Sequence, residues 1–442
     1  MTSAVAQTAH HWVDPTNGND SAAGTRTAPC KTLTKALTGR NFDLVVHALP
    51  GTYGPKSNGD FWDAANNKSA KIALNGFKNL KIVGEDRSTC VIDFNGIDDL
   101  WYGMFGIGGV GTDNIEITNL TFKNVGIATV WGCSPVNTQA GCTNINIHGN
   151  LFIDAGSAFI CWGGFDVAFH DNVIVSTTAT PSLVAIRLRT QYFSATDGDR
   201  TYCYNNVIVN QNHGISYAST NAPKQWICNN IILNGNLGFP GSALPATAVL
   251  ENNIAWGCTT PYSYMVNASN RVVDPMLVDV AKGDYHQKAG SPCLEAGYPV
   301  PATLSMRNDY YGNARCSDAD DDRNSLPDIG VHEVSDVALQ VTNWGIGKTG
   351  VFTNASTTFA GPAVFFFAYG KAGIYSASYG SVGFDPATLL FSAGTSVPGA
   401  VPVSVPNNPA FAGVLLYAQS FGLKGTTGGF AWKPSAVLDL EL

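Results

Sequence analysis

The segment "TYCYNNVIVNQN" at 201–212 returns as "QWICNNIILNGN" at 225–236. A unit this short cannot bury an apolar face by itself and must stack on its neighbours, so the repeat dictates the fold. Aligning the last Asn before each aliphatic run gives Asn119, Asn150, Asn172, Asn206, Asn230 and Asn253, with steps of 31, 22, 34, 24 and 23 residues. A shared minimum near 22 with two larger values describes a constant coil that carries insertions on some turns. Runs such as "NINIHGN" (144–150) and "DVAFHDN" (166–172) alternate apolar and polar residues, the period of a strand. Three short strands per coil, joined by tight turns, predict a parallel β-helix. The repeated Asn is expected at one corner of every coil. There its amide bonds the Asn above and below, and its backbone takes the left-handed conformation that Asn tolerates.

Earlier segments fit the same coil with weaker periodicity: "FDLVVHALPGTY" (42–53), "KIALNGFKNLKIVGED" (71–86) and "CVIDFNG" (90–96). Before them "APCKTLTKAL" (28–37) reads as a short amphipathic helix that covers the open first turn, within an N-terminal cap over 12–40. The repeat decays after Asn253, and 271–333 reads as an irregular closing region. From 336 the texture changes to longer apolar strands with Gly, Pro and Ser turns and no Asn pair. That spacing predicts an antiparallel β-sandwich over 336–442, after a β-helix domain over 1–335.

Composition narrows the function. Charged residues are only 13% of the chain, about half the usual share, and the net charge is −8. No basic footprint exists for nucleic acid. No apolar run approaches the roughly 18 residues that cross a bilayer, so no membrane span is expected. Among ten cysteines, Cys133 and Cys142 bracket the loop "CSPVNTQAGC", and Cys293 and Cys316 bracket a longer irregular segment. With no Cys-x-x-Cys to suggest a metal, these read as disulfide pairs and point to an oxidising, extracellular setting. "MTSAVAQTAHHW" nevertheless lacks the apolar core of a signal peptide.

The stretch "WVDPTNGNDSAAGTRTAPCKTLTKAL" with the later "LPGTY" (49–53) resembles the opening signature of bacterial right-handed parallel β-helix proteins of the pectate-lyase-like superfamily. "DPMLVDVAKGDYHQKAGSPCLEAG" and "DYYGNARCSDADDDRNSLPDIGVHE" look like the closing segment of the same family. The resemblance spans about residues 12–333 and implies the fold; that fold hosts lyases, hydrolases, esterases and non-catalytic spikes. "VPNNPAFAGVLLYAQSF" is similar to small β-sandwich modules of secreted bacterial proteins.

Chemistry must come from a site. Hydrolysis of the polygalacturonase type needs neighbouring carboxylates as acid and base, and no such pair stands on adjoining coils. Pectin-esterase motifs are also absent. Lyase chemistry needs a base and cationic charge beside a uronate carboxyl, and "VAIRLRT" supplies Arg187 and Arg189 on the outward side of a strand. Pairing of these arginines with Asp197 or Asp199 is the structural alternative. His213 and Lys224, one coil on, are further candidates for base or sugar contact; each also fits a solvated turn.

Strands 126–129, 158–162, 185–189 and 214–217 are expected to stack as one sheet. A short connection after Trp162, between longer ones at 131–143 and 190–201, then predicts a groove. Its floor holds Ile160 and Trp162, and its walls are the Cys133–Cys142 loop and Tyr192, Asp197, Asp199 and Arg200. Trp and Tyr beside a concavity suit stacking on sugars. His148 and His170, at matching places before a corner Asn, are expected to stack on each other as structure. Asp318, Asp320, Asp322 and Asp328 have the oxygen-rich spacing of a Ca²⁺ loop, with Arg323 where Gly often stands. The sequence thus points to a secreted polysaccharide-active enzyme, lyase before hydrolase, with a non-catalytic carbohydrate-binding protein as the competing class.

Overall fold

The computed structural model describes residues 8–39, 42–63, 68–69, 72–97, 105–125, 134–177, 184–188, 200–217, 225–241, 248–263, 267–299, 308–313, 315, 326–334, 338–342, 347–356, 360–368, 371–376, 380–384, 389–405, 407, 415–426, 429–434 and 438–441. It divides into two compact units, Met1–Asp274 and Pro275–Leu442. This division falls earlier than the boundary expected after residue 335 and places residues from 275 onward in the C-terminal unit.

The first unit is a parallel β-helix of three sheets, with nine, eight and eight strands. The first sheet holds the longer strands, among them Lys78–Gly84, Thr112–Thr118, Cys142–His148, Phe165–His170, Thr201–Tyr204 and Gln225–Cys228. From Thr112–Thr118 onward each of these leads through a two-residue corner into a short strand of the second sheet, such as Leu151–Ile153, Val173–Val175, Val207–Val209 and Ile231–Leu233. The third sheet contains Phe105–Ile107, Val136–Thr138, Phe159–Cys161, Val184–Leu188 and His213–Tyr217, all parallel.

Alternation sets what each strand buries. Ile115, Ile117, Ile145, Ile147, Val167 and Phe169 fill the interior from the first sheet, and Phe122, Phe152, Ile174, Ile208 and Ile232 from the second. Equivalent residues sit in register, as Phe122 over Phe152 with ring centroids 5.0 Å apart. Each buried side chain of this kind contributes about 1.5–3 kcal/mol. The aliphatic neighbours point the other way, yet Val173, Val207, Ile231 and Ile254 are also buried, so this part of the second sheet is covered on both faces.

The corner between first and second sheets divides its work between two residues. The ladder consists of Asn150, Asn172, Asn206, Asn230 and Asn253. In each, Nδ2 donates to Oδ1 of the next, at 3.2, 3.3, 2.9 and 3.0 Å in turn, and the same oxygen accepts the backbone N–H. The left-handed backbone belongs to the residue before: Gly149, Asp171, Asn205, Asn229 and Asn252, with φ between 50° and 64°. One Asn was expected to do both jobs, and the structure separates them because an amide aimed into the stack follows the bend. Asn119 is likewise a left-handed residue, φ 58°; Leu120 occupies the ladder position there and donates its N–H to Asn150 Oδ1. The ladder also outlasts the visible repeat, since Asn253 Nδ2 donates to Asn270 Oδ1 at 3.0 Å.

At the N-terminus the helix is Leu33–Leu37, capped by Thr32, whose hydroxyl accepts the Lys35 N–H at 3.1 Å. Buried Asp60 accepts the N–H groups of Leu33 and Thr34, satisfying the exposed helix start. Leu33, Ala36 and Leu37 face the core. Among the described residues no helix is long and apolar enough to cross a membrane.

The second unit carries small antiparallel sheets. Ala338–Thr342, Thr349–Ala355 and Gly399–Ser404 form one, and Gly361–Ala368, Leu389–Val397, Leu415–Thr426, Gly429–Pro434 and Leu438–Glu441 another. Phe352 of the first meets Phe367 of the second edge-on at 4.8 Å, so the two sheets share a core.

Candidate functional site

In the third sheet, Phe105, Val136, Phe159, Ile186 and Ile215 enter the core, as do Ile107, Cys161, Leu188 and Tyr217. The residues between them form the outward row Gly106, Asn137, Ile160, Arg187 and Ser216, paired strand to strand. Outward does not mean solvated. Asn137 and Ile160 are fully buried, and Arg187 is 3% exposed.

Arg187 therefore stands where the strand alternation put it, with its guanidinium held out of bulk water. His213 begins the next strand, opposite Val184. Burial, then the Arg187 charge, lowers its proton affinity below the ordinary histidine value of 6.5, which keeps the imidazole neutral near pH 7. A neutral imidazole beside a fixed cation can take a proton from a ligand that the cation binds.

Asn137 lies two strands from Arg187, with Ile160 between. Among the described residues neither Asn137 Oδ1 nor Nδ2 has a hydrogen-bond partner, an arrangement that costs about 1–3 kcal/mol per buried group. Glycine on its other side leaves room, since a Cβ at Gly106 would approach Asn137 Oδ1 no closer than 3.9 Å. Sequence reasoning passed over Asn137 because it lies in "CSPVNTQAGC", taken as a loop. The alternation in "VNT" was the available signal.

That stretch alters the groove. Val136–Thr138 is itself the third-sheet strand stacked on Phe159–Cys161, in the place expected for 126–129. Only Gln139–Gly141 separates it from the first-sheet strand Cys142–His148, so no long wall follows it. The extra residues of this coil precede the strand, and 126–133 lie outside the described residues. The short connection after Trp162 is confirmed: Gly163 and Gly164 adopt φ 157° and 127°, and a Cβ on Gly164 would fall 2.6 Å from Cys142 Sγ. Trp162 is half-buried, with its backbone N–H donating to Thr138 O at 2.8 Å.

The sequence profile of the family described as "Protein of unknown function (DUF1565)" matches residues 16–253. The chain belongs to the DUF1565 family. A search of curated proteins finds no match. Similar solved structures include a rhamnogalacturonan lyase, 12% identical, with TM-score 0.39 over 62% of this chain and 92% of the other. The pectate lyase Pel9A is 15% identical, with TM-score 0.26 over 75% and 98%. The pectin methylesterase PemA from Erwinia chrysanthemi is 12% identical, with TM-score 0.26 over 64% and 96%.

The other expected site residues of this DUF1565 protein divide into three groups. Arg189, Tyr192, Asp197, Asp199, Lys224, Asp318, Asp320 and Asp322 lie outside the described residues, as do Cys133 and Cys316. Arg200 is engaged with Asp166 at 2.6 Å, a pair at the start of the first-sheet strands Phe165–His170 and Thr201–Tyr204. Asp328 is buried, and its two oxygens accept the N–H groups of Glu295 at 2.7 Å and Val334 at 3.0 Å. Burial pushes its carboxyl up. Among the described residues no group of three His, Cys, Asp or Glu converges as metal ligands.

The thiols are structural in character. Cys30, Cys90, Cys203, Cys228 and Cys258 are free, and burial pushes up the Cys203 and Cys228 thiols in particular. Cys142 is a buried strand residue with Sγ 3.1 Å from Gln139 O. His148 and His170 do stack, with centroids 4.9 Å apart, and Tyr204 continues the pile at 4.5 Å. Their row is part of the scaffold.

Proposed function

We propose that this DUF1565 protein is an extracellular polysaccharide-active enzyme that cleaves a uronate-containing glycan by β-elimination at the outward face of its third sheet. The observation that carries the reading is Arg187, a cation withdrawn from water beside a neutral His213. Arg187 neutralises the uronate carboxylate and so acidifies the adjacent C–H. His213 takes that proton, the C–H electrons form the new C=C bond, and the C–O bond to the neighbouring sugar breaks with its electrons leaving on oxygen. Proton transfer to that oxygen completes the step. Asn137 and Ser216 offer hydrogen bonds to sugar hydroxyls, and Trp162 an aromatic surface. Hydrolysis finds less support, because the row Gly106–Ser216 contains no carboxylate.

The test is incubation with uronate-containing and neutral polysaccharides, following absorbance of unsaturated ends and release of reducing sugar. Absorbance with uronate substrates is expected. Reducing ends without absorbance would make the protein a hydrolase, and binding with neither product would make it a carbohydrate-binding protein. Arg187→Ala should lower the elimination rate by about 10²–10³-fold, as loss of one preorganised charge contact does. Activity should persist below pH 6.5 and fall only as the lowered His213 pKa is passed, because the protonated ring cannot serve as base.

A further inference from the structure

The larger sheet of the second unit has two unlike edges. Its strands run in the order Leu389–Val397, Gly361–Ala368, Leu415–Thr426 and Gly429–Pro434, with Leu438–Glu441 also on the far side of Leu415–Thr426. The far edge carries Lys433, Asp439 and Glu441, charges of the kind that keep an open strand from pairing with another chain. Leu389–Val397 carries none. Its sequence "LLFSAGTSV" also lacks proline, and no charged residue occurs anywhere between Asp385 and Lys424. From Phe391 opposite Phe367 to Val397 opposite Gly361 its register runs without a bulge.

This edge is apolar where it is open. Leu389, Leu390 and Phe391 are 41%, 50% and 41% exposed. Phe391 stacks on the core residue Phe367 with centroids 4.4 Å apart, so it continues the sandwich interior out to the edge and meets water there. Ala393, two residues on, packs against the same core, whereas alternation sends Leu390, Ser392 and Ser396 to the opposite face. Three consecutive exposed apolar side chains on an unguarded strand form a surface whose removal from water is favourable. Among the described residues no strand pairs with its outer side.

We infer that Leu389–Val397 is a dimer joint, pairing antiparallel with the same strand of a second copy of this chain so that two sheets become one. The chain has a net charge of −8, and two copies repel wherever their carboxylates approach. The uncharged edge lets two backbones meet without that repulsion. A two-fold axis at Ala393 places Phe391 of each copy opposite Thr395 of the other, an aromatic–β-branched pair on the core face, and Leu390 opposite Ser396. Both copies lose their open edge together, which closes the assembly at two.

The test is sedimentation velocity of the full chain over about 1–100 µM, where a species of twice the chain mass should grow with concentration and give a roughly micromolar dissociation constant. Raising NaCl from about 20 to about 200 mM should tighten the dimer, because screening relieves repulsion between acidic chains. Leu390→Lys lies on the outer face, away from the core, and should weaken dimerisation at least about tenfold while circular dichroism stays unchanged. Adding Ser396→Glu to that variant sets opposite charges across the joint and should restore the dimer, which separates a broken joint from a misfolded chain. A monomer at every concentration, assemblies larger than two, a dimer that salt loosens, a dimer indifferent to Leu390→Lys, or a double variant that stays monomeric would each overturn the inference.

Discussion

Two regions of the β-helix bury asparagine completely and use it in opposite ways. At the ladder corner, Asn206 Nδ2 donates to Asn230 Oδ1 at 2.9 Å and to Phe169 O at 3.1 Å, while its own oxygen accepts from the Asn172 backbone and side chain. On the third sheet, Asn137 is equally buried and its amide has no hydrogen-bond partner among the described residues. Both residues are inaccessible to water, so exposure does not distinguish scaffold from site. Satisfaction does. A satisfied buried amide holds backbone together, whereas an unsatisfied one lowers stability unless something else uses it.

Substitution at the two positions tests this contrast most directly. Asn206→Ala leaves the Asn172 N–H without its acceptor and removes the Nδ2 bonds to Phe169 O and Asn230 Oδ1, and a loss of about 3–5 kcal/mol is expected in urea unfolding. Asn137→Leu removes an amide that has no bonds to lose; stability should hold or rise by about 1 kcal/mol, while affinity for the glycan substrate falls. Equal destabilisation at both sites would end the comparison.

A smaller effect concerns acid. Burial, then the neighbouring His10, pushes His47 from 6.5 to about 4, so the unfolded chain binds this proton first as pH falls. The stability tied to His47 is intact above 6.5 and is lost as pH drops from there towards 4. His47→Gln should flatten that part of the pH–stability curve, measured by thermal melting at steps of pH. The smallest change is expected at the surface: Arg200→Ala breaks the exposed pair with Asp166 and should alter stability by no more than about 0.5 kcal/mol.

The scaffold was legible because its chemistry repeats. "NNVIV" and "NNIIL" display ladder residue, inward residue and outward flanks at a fixed offset, and one coil interprets the next. Asn270 was missed because Arg271 follows it where the other corners have an aliphatic residue, although the ladder bond is the same. The site was legible only where alternation applies. It put Arg187 outward correctly, since Ile186 and Leu188 flank it as core residues. The groove wall failed because insertion length says nothing about which side of a strand the extra residues occupy. Nor could sequence announce that Asn137 lacks partners among the described residues, because that depends on which side chains the adjoining coils place beside it.

The ladder also has a direction. Every amide from Asn150 to Asn253 donates towards the later coil, and each corner offers the next the same two groups. Coils joined this way are interchangeable parts. Joining the chain before Asn206 to the chain from Asn230 onward would remove 24 residues, His213 and Ser216 among them, and still present Asn172 with the oxygen it requires. A gene lineage can therefore gain or discard reactive side chains by whole turns of the helix, leaving the hydrogen-bonded corner unchanged.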